Sequence, residues 1–151
     1  QNVISCFFQA QIISHWGYPV EQVKAITKDG YILGLQRIPH GKNEHLSNRS
    51  CRPIVIMMHG LVGDSTSFIT NLPNQSAGFL FADAGFDVWL GNVRGNTYSR
   101  NYAHKTMTLF YKLSYSWDEI AQYDLPAMIE TALNITGQNS LYYIGHSQVD
   151  L

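Results

Sequence analysis

The residues of this chain best placed to do chemistry are Gly145-His146-Ser147-Gln148, directly after the apolar run Leu141-Tyr142-Tyr143-Ile144. They fill four of the five positions of Gly-x-Ser-x-Gly, a sharp strand-to-helix turn that lifts a serine oxygen above a sheet. Such a turn strains the serine backbone, so small neighbours are needed to avoid clashes with the adjoining strand and helix. A serine hydroxyl is a weak nucleophile until a nearby base takes its proton. The tetrahedral intermediate of acyl transfer needs two N–H donors, one following the serine and one in a loop after an earlier strand. Gln148 fills the first position, and Leu61 in His59-Gly60-Leu61 fills the second. A Gly-x-Ser at a strand end can equally be a plain turn. Its coupling to His59-Gly60, at the end of another strand-like run, favours the chemical reading.

The histidines are weighed one by one. His59 is expected to orient the donor loop, because the base of such a site normally follows the serine in the chain. His146 adjoins the serine, but its side chain should point away and give structural support. His15, His40, His45 and His104 lie in polar stretches and read as solvated. Cys6 and Cys51 match no metal-ligand spacing and cannot build a disulfide framework. No cofactor and no metal site is expected.

Elements able to position such a site can be read from pattern. Residues 1–20 form an irregular or short helical lead, broken at Trp16-Gly17-Tyr18-Pro19. Val23, Ala25 and Thr27 alternate with polar residues, and Asp29-Gly30 precedes the run Tyr31 to Ile38. This is a hairpin signal, with both turn residues expected at positive φ. The runs Pro53 to Met58, Phe86 to Leu90 and Leu141 to Ile144 read as strands buried on both faces of a parallel sheet. Gln75 to Ala84 carries helical spacing and stops at Gly85. Ser116-Trp117-Asp118-Glu119 is a capping box, with Pro126 expected to kink or restart the helix before Gly137. A hairpin followed by strand, helix, strand, helix, strand gives an α/β architecture with helices on both faces of a mostly parallel sheet. No internal boundary divides residues 1–151.

Bulk properties narrow the function. The 151 residues are 45% hydrophobic and 14% charged, with ten Lys and Arg against eleven Asp and Glu. That describes one globular domain with no basic surface for nucleic acid. The longest apolar stretch, Ile54 to Met58, is far short of the roughly 20 residues that span a bilayer. Three glycosylation sequons, at Asn48, Asn74 and Asn134, are a mild excess over chance and point to a secreted or lysosomal route. Gln1 at the start implies that a targeting segment was removed or that numbering begins inside a longer product.

Several blocks carry a more specific likeness. They include Ile13-Ser14-His15-Trp16-Gly17-Tyr18-Pro19, Asp29-Gly30-Tyr31-Ile32-Leu33, Arg37-Ile38-Pro39 and His59-Gly60-Leu61. Farther along come Ala82 to Asn92, Arg94-Gly95-Asn96-Thr97, Ser99-Arg100, Tyr123-Asp124-Leu125-Pro126-Ala127 and Gly145-His146-Ser147-Gln148. Together, in order from Ile13 to Gln148, they resemble the acid lipase family, which contains lysosomal acid lipase and gastric lipase. The resemblance implies an α/β-hydrolase fold and cleavage of neutral lipid esters, triacylglycerols or sterol esters, at a lipid–water interface by a Ser-His-Asp triad. It implies Ser147 as nucleophile, Leu61 and Gln148 as oxyanion donors, and a glycosylated, secreted or lysosomal protein. Arg94-Gly95-Asn96 and Tyr123-Asp124-Leu125-Pro126 receive no role from pattern alone.

The likeness breaks after Gln148. Val149 stands where the family has glycine, a β-branched residue where a small one is wanted. Val62 and Val93 also depart, with less expected effect. The chain therefore reads as a partial hydrolase domain over 1–151, truncated just after the serine turn. The acid and base that lie beyond the serine in the family are lacking, so the chain is expected to be inactive alone, with Leu141 to Ile144 as an exposed apolar edge. The competing reading is a non-catalytic truncated product that binds lipid or a partner. A hydrolase of other substrates on the same fold is a third.

Overall fold

The computed structural model describes residues 3–43, 51–99, 101–102 and 116–147. Helix α1 (Val3–His15) ends at Gly17, whose φ of +81° no longer fits a helix. Strands β1 (Glu21–Ile26) and β2 (Tyr31–Ile38) pair antiparallel, from Glu21 opposite Arg37 to Ile26 opposite Ile32. Their turn differs from the expected one. Thr27 N–H donates to the Tyr31 carbonyl at 2.9 Å, leaving the three-residue connection Lys28-Asp29-Gly30 with only Gly30 at positive φ, +94°. A three-residue loop needs one left-handed residue at its end, whereas a two-residue turn of the expected type needs two.

The sheet is completed by β3 (Ile54–Met58), β4 (Asp87–Gly91), β5 (Asn101–Tyr102) and β6 (Tyr142–Gly145). Its order is β1-β2-β4-β3-β6, with β5 pairing the start of β2. Parallel pairing is confined to β4-β3-β6, and β2 meets β4 antiparallel, so the sheet is mixed. Every residue of β3 and β4 is buried. Successive side chains along β3 alternate between two cores, as the twofold period of a strand requires. Val55 and Met57 face a layer holding Ile13 of α1 and Phe79 of α2 (Ala77–Asp83). Ile54, Ile56 and Met58 face Met128 and Ala132 of α4 (Leu125–Thr136).

The helix before β6 forms in two stages. Ser116 caps the short turn α3 (Trp117–Glu119) in a reciprocal capping box. A five-residue π turn, Ile120–Asp124, follows and leads into α4, with the Leu125 N–H reaching back to the Ile120 carbonyl. Pro126 has no N–H to offer the preceding turn, so the hydrogen-bond register shifts at that point. The helix stops at Gly137, φ +70°, whose N–H caps the Leu133 carbonyl.

By sequence, Leu141 to Ile144 reads both as a strand of the type buried on both faces and, in this chain, as an exposed apolar edge. The second is what is seen, with Tyr142 62% exposed and Tyr143 also facing solvent. Among the described residues, β6 pairs only with β3, which leaves it at the sheet edge.

Candidate active site

Parallel pairing of β3 with β6 brings their carboxyl ends side by side, Met58 opposite Gly145. The pairing runs one residue further, with His146 N–H donating to the Met58 carbonyl at 3.0 Å. The chain then turns sharply at Ser147, whose φ is +61°. Among the described residues only Val62 shares that left-handed conformation without being glycine. L side chains rarely adopt it, and such outliers gather where surrounding structure over-determines the backbone.

The loop after β3 lies directly against this turn. A Cβ added at Gly60 would sit 2.9 Å from the His146 carbonyl oxygen and 3.0 Å from the Ser147 Cβ. Only a residue with no side chain fits there, so glycine is what lets the two backbones approach. Leu61 and Val62 follow on the surface, with Val62 97% exposed. A cavity of about 470 Å³ opens beside them, bounded by the 58–64 loop, the 93–97 loop, Trp117, Ile120, Leu125 and Tyr143. Ser147 is exposed, and the exposed side chains of Leu61, Val62 and Trp117 make this end of the sheet apolar. Gln148 and Asn48 lie outside the described residues, as do His45, His104 and Val149.

His59 is buried beneath the loop it was expected to orient. Its Nδ1 lies 2.9 Å from the Gly60 carbonyl oxygen; its Nε2 faces the Asn96 side-chain nitrogen at 3.2 Å and the Val93 N–H at 3.4 Å. Burial pushes its pKa below the ordinary imidazole value, against the smaller pull of the Gly60 carbonyl and Asp64. Below this ring Asn92 ties three segments together. Its amide donates to the Gly34 carbonyl and the Ser65 hydroxyl, while its oxygen accepts from the Ser65 N–H at 3.1 Å.

The two blocks that had no role in the sequence form one ion cluster. Arg94 is buried, its Nε 2.8 Å from Asp124 Oδ1 and its Nη1 2.7 Å from Asp29 Oδ2. Its own backbone N–H also donates to Asp124 Oδ2, at 2.8 Å. The guanidinium lies 4.1 Å over the Tyr31 ring and 5.6 Å from that of Tyr123. Burial alone would lower the Arg94 pKa, but the two carboxylates outweigh it and raise it. Asp124 is completely buried, and that lifts its carboxyl above the usual range despite Arg94. For Asp29 burial also pushes upward, yet the bonds from Arg94 and Thr27 prevail and hold it low. The cluster clamps the β1–β2 turn, the loop after β4 and the π turn together. No local pattern could reveal it, because Arg94 stands 65 residues from Asp29 and 30 from Asp124.

The remaining candidates are simpler. His15 and His146 are exposed, and His40 bonds the neighbouring Gly41 carbonyl. Asn74 and Asn134 are both on the surface. Among the described residues no group of three His, Cys, Asp or Glu could hold a metal ion, and no helix is long and apolar enough to cross a membrane.

A strained serine after the edge strand of a mixed sheet, faced by a glycine loop from the neighbouring parallel strand, defines an α/β protein with a serine-turn site. Residues 53–148 match the alpha/beta hydrolase fold family, and residues 9–72 match its partial alpha/beta-hydrolase lipase region. The chain belongs to the alpha/beta hydrolase fold family. It is 53% identical over 141 residues to human lysosomal acid lipase/cholesteryl ester hydrolase, covering 92% of this chain and 35% of that protein. It is 56% identical over 138 residues to lipase lipl-1 of Caenorhabditis elegans, covering 91% of this chain and 34% of that one. With gastric triacylglycerol lipase of Bos taurus it shares 52% over 141 residues, covering 92% and 35%. The chain thus spans about a third of the length of these relatives. Among solved structures, an esterase from Pyrococcus furiosus matches 88% of this chain and 42% of its own, with a TM-score of 0.61 at 17% identity. That likeness is one of fold.

Proposed function

We propose that Ser147 is the nucleophile of a carboxylic-ester hydrolase acting on neutral lipid esters, triacylglycerols or sterol esters. The observation that carries this reading is the Ser147 backbone at φ +61°, packed against Gly60. The Ser147 oxygen attacks the ester carbonyl carbon and its proton passes to a histidine base. Charge gathers on the carbonyl oxygen, facing the backbone N–H groups of Leu61 and Gln148. The alcohol leaves with that proton, and water then releases the fatty acid from the acyl-serine. The exposed apolar side chains Leu61, Val62 and Trp117 suit a substrate met at a lipid–water interface. Relatives at above 50% identity, lysosomal acid lipase and gastric triacylglycerol lipase, support the ester class and a secreted or lysosomal setting. Carbohydrate at Asn48, Asn74 and Asn134 belongs to the same reading.

Ser147 and the Gly60–Leu61 loop stand, among the described residues, without a histidine–carboxylate pair beside them. Among the described residues no histidine is bonded to a carboxylate, and both ring nitrogens of His59 are already engaged. Ester turnover by the chain alone is therefore expected to stay orders of magnitude below that of a complete triad, since the oxyanion hole alone gives about 10³–10⁴ over water. The test joins residues 1–148 to the carboxy-terminal remainder of human lysosomal acid lipase and measures cleavage of emulsified triolein and cholesteryl oleate. Activity lost in Ser147→Ala is the expected result. A folded chimera without activity, or full turnover by the 151-residue chain alone, overturns the proposal. Saturable lipid binding by the chain, unchanged in Ser147→Ala and with no activity in the chimera, would instead establish the non-catalytic alternative.

A further inference from the structure

We propose that Asn96 is a positioning residue that fixes which nitrogen of His59 carries the proton, and thereby the direction of the Gly60–Leu61 peptide. The inference rests on the Leu61 N–H being an oxyanion donor only for its functional meaning; the hydrogen-bond logic stands apart from it.

An amide side chain and an imidazole can each be read two ways round, so their orientation must come from partners with no choice. One such partner settles Asn96. The Tyr98 backbone N–H can only donate, and it points at Asn96 Oδ1 from 3.0 Å. The opposite end of the amide is therefore the NH₂ group, directed at Asn92 Oδ1 at 3.0 Å and at His59 Nε2 at 3.2 Å. Asn92 is settled in the same manner, because the Ser65 N–H can only donate to its oxygen and the Gly34 carbonyl can only accept from its nitrogen. Asn96 thus spends both its hydrogens on acceptors.

His59 inherits its state from this arrangement. Its Nε2 faces two donors, the Asn96 amide and the Val93 N–H at 3.4 Å, and must present a lone pair to both. The ring proton is left on Nδ1, which donates to the Gly60 carbonyl at 2.9 Å. Protonating Nε2 as well would press an N–H against two others in a buried site. The Gly60 carbonyl also accepts from the Gly63 N–H at 3.1 Å, so it is held by two donors on the inner side of the loop. A trans peptide directs its C=O and the following N–H to opposite sides. Holding the Gly60 oxygen inward therefore turns the Leu61 N–H outward.

The charged groups around the ring do not compete. Asp64, in the same loop, pulls the ring toward protonation, but less strongly than burial resists it. The Arg94 guanidinium in the facing loop is committed to Asp124 and Asp29. His146 is exposed, its Nδ1 3.4 Å from where a Gly60 Cβ would stand.

The experiment is imidazole ¹⁵N NMR of the 151-residue chain with labelled histidine, followed from pH 8 to pH 5. In the unaltered chain His59 is expected to stay neutral throughout, with Nδ1–H favoured by roughly tenfold or more from its two Nε2 donors. Asn96→Asp puts an acceptor where a donor stood. The proton should then move to Nε2, or the ring should become doubly protonated by pH 5, with the Leu61 amide resonance shifting alongside. Asn96→Ala, which keeps only the Val93 donor, should give a mixture of tautomers. A His59 in the unaltered chain that carries Nε2–H, or that titrates as a free imidazole does, overturns the proposal without any variant. An Nδ1–H ring persisting in both variants also overturns it. Ester hydrolysis does not enter this readout, so a failed lipase assay leaves its outcome intact.

Discussion

Replacing Arg94 with leucine removes the one cation that three segments share. The consequence is set by what is left behind more than by the bonds lost. Asp29 is partly exposed and, once released, can be hydrated where it stands, so its share is small. Asp124 is 0% exposed and loses the Arg94 Nε and Nη2 contacts at 2.8 and 2.7 Å, keeping only the backbone N–H. Removing one partner of a buried pair costs about 3–5 kcal/mol, mostly through the stranded charge. The guanidinium stacked 4.1 Å over Tyr31 contributes on the order of 1 kcal/mol, partly overlapping that figure. An expected penalty of about 4 kcal/mol is a large part of a typical total of 5–15, and should lower Tm by about 8–16 °C in a domain of this size.

Its pH dependence is the sharper test. Without the guanidinium, burial of Asp124 is opposed only by the retained backbone N–H of residue 94, and its folded-state pKa rises further above the unfolded value near 3.9. A raised carboxyl binds its proton more readily in the folded chain, so folding is favoured at low pH and loses stability as pH climbs toward the folded pKa. The penalty of Arg94→Leu should therefore shrink on going from pH 8 to pH 5, and Asp124→Asn in the same chain should recover much of it. Urea unfolding followed by circular dichroism at both pH values reads this directly. A penalty under about 1 kcal/mol, or one that grows on acidification, would refute the clamp.

Other substitutions probe the site and its support. Gly60→Ala should abolish ester cleavage in the chimera while leaving the far end of the sheet intact, since its Cβ would press on the His146 carbonyl at 2.9 Å; full activity would remove the need for close approach. Gly91→Ala places a Cβ 2.3 Å from Met58 Sδ and 2.8 Å from Met128 Sδ in the buried core, and should cost about 1–3 kcal/mol in unfolding measurements. Val62→Gly should stabilise by about 0.5–1 kcal/mol, because a β-branched residue at φ +58° is strained and its 97% exposed side chain packs on little. Expression through a secretory route should give glycan on the surface residue Asn74, seen as a mass step that Asn74→Gln removes.

What could be read from the sequence and what could not divide along a physical line. Every strand of the sheet except the two-residue β5 announced itself by a local property, such as the unbroken apolar run of Ile54–Met58 or the alternation before Asp29-Gly30. The capping box at Ser116 and the stop at Gly137 are likewise written in neighbouring residues. Errors arose where a local signal permits several geometries. Asp29-Gly30 fits a two-residue or a three-residue turn, and the chain takes the second, with the Asp29 carboxylate meeting Arg94. Leu141–Ile144 is apolar enough for a core, but whether both its faces are covered depends on what lies beside β6, which its own residues do not encode.

The candidate site shows the same division more strongly. Ser147 and Gly60 stood out because strained or close-packed backbone restricts residue type at single positions. Arg94, Asp124, Asn92 and Asn96 did not, because each is a polar residue whose meaning lies in partners far away in sequence. Their burial could be tolerated only if those partners arrived, since an unpaired buried amide or carboxylate costs as much as several ordinary contacts. That dependence runs both ways. The apolar strands place Asn92 and Arg94 at the carboxyl end of β4, and the bonds these residues make there set the shape of the loops that meet around Gly60. The sheet can therefore bring a serine and a glycine loop together, but the polar residues beneath decide which way that loop's N–H groups face.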